Sequence, residues 1–317
     1  MNESQTTPAV AEKTAGPPLR GRALAIEFAL LGLLALIWGS SYGMIKMAVA
    51  TLAPLTVVLI RSAVAAAFLW MVVLWRGDAV PRSRRTWGHF FIQGLTASII
   101  PFSLIAWGQQ VVDSSLASVL NSTSPLFVFV FTALWTRHEA TSGLRLFGIG
   151  LGLGGTTLII GVDALQEVGR YVAGELAIMA AAVFYALSAV FSRHFRGIAP
   201  PVTSAATLSL STLAILPFAF AFESPFSQTP AGASLVATVL LGLLSTAVAA
   251  MLYYRLINTL GSMSTSSVSY LRAGVSVLIG VLLLDEPFTW SLAIGLAAVV
   301  GGVAAINARP ASGLTRS

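Results

Sequence analysis

Residues 139–155 read EATSGLRLFGIGLGLGG, and residues 286–302 read EPFTWSLAIGLAAVVGG. The two stretches lie 147 residues apart; each opens on a glutamate, carries a glycine nine positions later and ends on Gly-Gly. Extending the same offset outward, with no gap, places Pro54 on Pro201, Lys46 on Arg193, Trp38 on Tyr185 and Trp107 on Tyr254. Leucines and alanines would align between any two apolar halves. Paired Pro, Glu and Gly-Gly positions at one constant offset would not, so the chain reads as a tandem internal repeat.

The composition says where such a repeat lives. Of 317 residues, 56% are hydrophobic and 9% are charged, against about a quarter charged in a soluble domain. That excludes an ordinary soluble globule. Runs of about 20 apolar residues cross a bilayer, and the apolar runs here define ten segments. They fall at about 26–46, 54–75, 89–109, 114–136, 144–162, 174–193, 201–222, 232–255, 263–284 and 288–307. The sequence therefore predicts an all-α membrane protein with ten transmembrane helices. Residues 26–162 form a first five-helix repeat and 174–307 a second; 1–22 and 308–317 are expected as cytoplasmic tails, the first of them polar and disordered.

Charge sets the orientation. With the N-terminus inside, fourteen Lys and Arg fall in cytoplasmic segments, while Arg170 alone falls in an outer loop. The positive-inside rule then predicts N-in and C-in. It also accounts for the net charge of +6 without nucleic acid, which would require a basic patch on a folded surface. Five helices per half is an odd number, so the second half must enter the membrane upside down relative to the first. Inverted repeats of this kind place a substrate site near the midplane between the halves.

The motif Trp38-Gly39-Ser40-Ser41-Tyr42 with Lys46, Pro54, Arg61 and Pro125, together with Glu139 and Glu286 leading into Gly-Gly helices, resembles the ten-helix EamA-type branch of the drug/metabolite transporter superfamily. The resemblance spans residues 26–307. It implies a bacterial inner-membrane exporter of small metabolites or amino acids, and it says nothing about which. The chain departs from the family pattern at Arg272, which stands opposite Pro125 where the family often has proline.

Charge inside a span is costly, which makes an intramembrane arginine a functional candidate by default. Arg272 lies about 13 Å from one end of its helix and about 18 Å from the other, too deep to snorkel easily. Arg61 lies about 10 Å below the outer boundary, where a long stem reaches partway out. Lys46 reads as an interfacial anchor. No Asp or Glu is expected deep in a span, so a substrate carboxylate or phosphate is the expected counter-ion of Arg272, held by the guanidinium fork. The alternative gives Arg272 a structural role, bonded to carbonyls freed near Pro125.

The polar run Asn121-Ser122-Thr123-Ser124 before Pro125 is expected mid-span, where proline frees a backbone carbonyl. Its hydroxyls either line a cavity or bond back to their own helix. Trp38, Tyr42, Trp107, Gln109, Tyr185, Tyr253, Tyr254 and Tyr270 are candidates for an aromatic pocket wall, with Trp38, Trp107 and Tyr270 nearest mid-span. The expected substrate-binding set is Arg272, Trp38, Trp107, Asn121, Tyr270, Arg61, Tyr42 and Tyr185. Gly148 to Gly155 has no preceding soluble strand and no acidic residue after it, so it reads as close helix packing and not as a nucleotide loop.

No cofactor, metal or catalytic group is expected. There is no cysteine, and His89, His138 and His194 are scattered. A lipid-modifying membrane enzyme would need clustered acids or a nucleophile with its base, and a channel would need a ring of charge or a repeated filter. A secondary transporter exporting small metabolites, amino acids or related carboxylates foremost, fits best; export of amines or drug-like compounds is the alternative. The expected partners are a small-molecule substrate and the bilayer. Small-residue faces serve internal packing and dimerisation equally well, so the sequence leaves the oligomeric state open.

Overall fold

The computed structural model describes residues 21–136, 143–160, 168–227, 229–272, 275 and 290–308. The expected tails lie outside these residues apart from 21, 22 and 308, as do Glu139, Glu286 and His138. Among the described residues every regular element is a helix. Helix α1 runs Arg22–Gly39 and, beyond a break at Ser40, Ser41–Val49; α2 is Pro54–Arg76 and α3 Arg84–Gly108. Helix α4 is Ser114–Asn121 followed by Ser124–Phe131, and α5 is Gly143–Ile160. The second half contains α6 (Val172–Phe191), α7 (Pro200–Phe222), α8 (Gly232–Leu260), α9 (Ser262–Ser266, resuming over 268–272) and α10 (Trp290–Asn307). Seven of these, α1 to α4 and α6 to α8, are long and apolar enough to cross a membrane.

Local chemistry sets the ends. Pro54 and Pro200 open α2 and α7, where a missing N–H costs no helical bond. Gly77 ends α2 in the left-handed conformation, φ 66° and ψ 28°, and Asp78 N donates back to Val73 O at 3.2 Å. The first free N–H groups of α2 find an acid: Leu55 N and Thr56 N donate to the two carboxylate oxygens of Glu223 at 2.8 and 2.7 Å. Glu223 follows α7, so the cap of one helix also ties it to its neighbour.

The two halves meet about a pseudo-two-fold axis, and contacts show this directly. A two-fold that exchanges residue i with i + 147 requires every contact between halves to recur with its partners exchanged. A Cβ added at Gly302 would lie 2.6 Å from Gly148 O, and one at Gly155 would lie 2.7 Å from Gly295 O. The offset exchanges Gly155 with Gly302 and Gly148 with Gly295, so each contact is the other's image. On the axis itself, Ser122 Oγ of α4 lies 3.1 Å from Ser269 O of α9, two residues separated by 147. The glycine-rich helices α5 and α10 thus pack backbone to backbone, as their composition predicts. Gly150 and Gly154 stand apart from this seam with nothing within 4 Å of an added Cβ.

The repeat also shares a backbone irregularity. Leu95–Ile99 of α3 and Leu241–Val248 of α8 are wound as π-helix, and the offset of 147 carries the first segment onto 242–246, inside the second. Such bulges are rare within α-helices and concentrate at functional sites.

Side chains are partitioned as in a membrane protein. Leu74, Trp75, Phe222 and Trp290 are three-quarters or more exposed, a distribution that lipid tolerates and water does not. Serines and threonines such as Ser62, Ser204, Thr238 and Thr265 are sealed inside. Glu27, in the second turn of α1, is buried, and its carboxylate accepts from Arg255 Nη2 at 2.7 Å and from Thr259 Oγ1 at 3.1 Å. This acid sits near the start of its helix, away from mid-span, and α8 supplies its counter-charge. Lys46 pairs instead with Asp113 at 3.6 Å on the half-exposed rim.

Candidate functional site

One cavity opens between the halves, with an empty volume of about 1080 Å³ that includes its open mouth. The broken and bulged helices build it. Helix α1 contributes Trp38, Ser41 and Tyr42 at its break, and α4 contributes Asn121 and Ser124 at its own. The π-segments contribute Ser98 from α3 and its repeat equivalent Ser245, with Thr246, from α8. Helix α6 adds Tyr185 and Ser188, α7 adds Ser204 and Thr207, and α9 adds Ser269 and Arg272. These irregularities all turn backbone or small hydroxyls inward, which a membrane helix permits where it lines a cavity.

Two guanidiniums project into this space. Arg61 is 6% exposed and its Nε and Nη2 donate to Thr246 Oγ1 at 3.1 and 2.9 Å. Its Cζ lies 3.8 Å from the centroid of Phe102. Thr246 in turn donates to Leu241 O, five residues back, at 2.8 Å. That bond spans the π-segment, so the bulge positions the hydroxyl that orients Arg61. Arg272, also 6% exposed, holds its Cζ 5.1 Å from the centroid of Tyr42. The Tyr42 hydroxyl accepts from Asn121 Nδ2 at 2.7 Å, while Asn121 Oδ1 has no hydrogen-bond partner. Among the described residues, no Asp or Glu lines the cavity.

The aromatic wall is anchored as well. Trp38 Nε1 donates to Ser245 O at 3.0 Å and its ring lies 5.5 Å from that of Tyr253 at a tilt of 49°. A buried indole N–H without an acceptor would be costly, so the Ser245 carbonyl fixes the ring's face toward the cavity.

Of the eight residues singled out from the sequence, the structure brings six together: Trp38, Tyr42, Arg61, Asn121, Tyr185 and Arg272 all line this cavity. Two stand elsewhere. Trp107 is 49% exposed and lies beside Pro54, Leu55 and Glu223 in a separate shallow groove. Tyr270 is fully buried, its ring packed so closely on Gly152 that an added Cβ there would lie 2.6 Å from Cδ2. Gln109 is also structural, with Nε2 donating to Ser114 Oγ at 3.1 Å and lying 3.4 Å from Tyr42 O. Sequence reasoning missed Phe102, Ser98 and Thr246. The equivalence of Ser98 and Ser245 under the 147-residue offset was the one signal that could have found the bulges.

Comparison with known proteins agrees with this architecture. The chain is 24% identical over 277 residues to the uncharacterized transporter YoaV of Bacillus subtilis (strain 168), covering 86% of this chain and 94% of that one. It is 25% identical over 270 residues to the uncharacterized inner membrane transporter YedA of Escherichia coli (strain K12), covering 83% and 84%. A crystal structure of a protein with 23% identity matches with a TM-score of 0.71 over 88% of this chain and 96% of its own, a likeness of fold. The profile of the EamA-like transporter family matches twice, over residues 26–161 and 172–308. Every cavity residue named above falls inside those two matches, one in each inverted half, and the chain accordingly belongs to the EamA-like transporter family.

Proposed function

We propose that this chain exports small carboxylate-bearing metabolites, amino acids or close relatives, by alternating access around the cavity between its halves. The protein is a multi-pass inner-membrane transporter of the drug/metabolite type. The observation that carries the substrate reading is the opening of two intramembrane guanidiniums, Arg61 and Arg272, onto one aromatic-walled cavity. A guanidinium matches a carboxylate with two parallel donors. Arg272 over Tyr42 is the anchor for that carboxylate. Asn121 Oδ1, beside Tyr42 and without a partner, is an acceptor suited to an ammonium group. Trp38 and Tyr253 supply an apolar surface for the rest of the molecule. With N-in and C-in orientation, rocking of one inverted half against the other would expose this site to each side in turn.

The test is counterflow of labelled amino acids into proteoliposomes holding purified wild type, Arg272→Ala or Arg272→Lys, with carboxylates, amines and neutral analogues as competitors. The expected result is uptake competed by carboxylates, abolished by alanine and weakened by lysine. Uptake of amines or neutral compounds that survives both substitutions would overturn the carboxylate reading and assign Arg272 to structure.

A further inference from the structure

Arg61 is the cavity group that a single substrate carboxylate leaves unexplained. It is 6% exposed, and its guanidinium meets the Thr246 hydroxyl and the Phe102 ring. Neither carries a charge. The Thr246 proton is committed to Leu241 O, which leaves its lone pairs to Nε and Nη2 of the arginine. This arrangement orients the guanidinium without neutralising it. A guanidinium taken out of water without a counter-charge is strongly unfavourable.

Different rings hold the two cations. Arg61 is pinned over Phe102 of α3 and Arg272 over Tyr42 of α1. Both nevertheless border one space, since Arg61, Arg272 and Tyr185 line the same cavity. A monocarboxylate seated on Arg272 would leave the Arg61 charge uncompensated. A ligand with a carboxylate at each end would meet both guanidiniums, Arg272 through Nε and Nη2, which have no hydrogen-bond partner.

We infer that the cavity selects dicarboxylates, Arg272 holding one carboxylate and Arg61, oriented by Thr246, holding the second. This rests on the carboxylate reading of the site and narrows it: acidic amino acids and simple diacids are preferred over their monoacid counterparts. Arg61 is then the specificity-determining residue, and the π-segment of α8 is the device that aims it.

The experiment is a thermal-unfolding titration of the purified protein in detergent at fixed ionic strength, which holds charge screening constant. Succinate and glutarate are compared with butyrate and valerate, pairs that share chain length and differ by one carboxylate. A ligand that binds the folded state raises its stability in proportion to occupancy. The expected result is half-maximal stabilisation at a concentration about tenfold or more lower for the diacid than for its monoacid. In Arg61→Gln that ratio is expected to fall to about twofold or less. Equal midpoints in wild type, a comparison that no folding defect in a variant can affect, would overturn the inference, as would an undiminished ratio in Arg61→Gln. If monoacids stabilise as well as diacids, the carboxylate reading stands and only the dicarboxylate inference falls. If none of the four acids stabilises the protein, both fall together.

Discussion

Replacing Gly155 with alanine tests the seam between the halves. The new Cβ would lie 2.7 Å from Gly295 O and 2.8 Å from Val299 N, backbone atoms that no rotamer change can move. Ordinary contact begins near 3.4 Å, so α5 and α10 would have to part by 3.4 − 2.7 = 0.7 Å. A gap of that size forfeits about a quarter to a half of the dispersion well at each contact along the seam. Overpacking of this kind costs about 1–3 kcal/mol, and alanine's better helix propensity offsets about 1 kcal/mol. Gly150→Ala provides the internal control, because its Cβ meets nothing within 4 Å and only the propensity gain of about 1 kcal/mol applies. The two alanine variants, five residues apart on one helix, should therefore differ by about 1–3 kcal/mol. That difference appears as a separation of several degrees in thermal melts recorded in one detergent. Gly302→Ala, whose Cβ would meet Gly148 O at 2.6 Å, should group with Gly155→Ala. Equal melting temperatures for Gly150→Ala and Gly155→Ala would refute the backbone-to-backbone seam and with it the pseudo-symmetric contact argument.

Other consequences follow from single contacts. Arg255→Gln leaves the buried Glu27 carboxylate without its cation and should lower the melting temperature; adding Glu27→Gln should restore part of the loss. A double-mutant cycle is expected to give a coupling of about 1–3 kcal/mol, and simple additivity would show the pair to be inert. Trp38→Ala should weaken carboxylate competition in counterflow by about tenfold, while Trp107→Ala, outside the cavity and half exposed, should leave it unchanged; the opposite ranking would move the site. The chain has no cysteine, so single cysteines report sidedness without background. In intact cells an impermeant maleimide should label Asp113→Cys, and it should reach Ser83→Cys only after permeabilisation. The reverse pattern would invert the N-in orientation.

What the sequence makes legible is what is written along one dimension. Span positions follow from runs of apolar residues, and the inverted repeat follows from Pro, Glu and Gly-Gly pairs at one offset. Arg61 and Arg272 stand out because charge in a span is conspicuous against its neighbours. The facing of a side chain around a uniformly apolar helix is not written in this way. No amphipathic stripe marks the segments that carry Trp38 and Trp107, so depth alone could not separate the two.

The backbone irregularities widen that gap. Each residue of an α-helix turns the facing by about 100°, and a π-segment changes that winding. Trp107 lies beyond the π-segment Leu95–Ile99, and Tyr270 lies beyond the break at Ser267. A projection of either residue from the regular period therefore points the wrong way. Phe102 and Thr246 matter only because α2, α3 and α8 converge on Arg61, and Glu27 is tolerated only because Arg255, 228 residues later, folds against it. The sequence alone thus determined the membrane class, the spans, the repeat and the two cations. Tertiary structure alone decided which side chains face the cavity and what holds each cation, because those depend on helix rotation and on contacts between residues far apart in the chain.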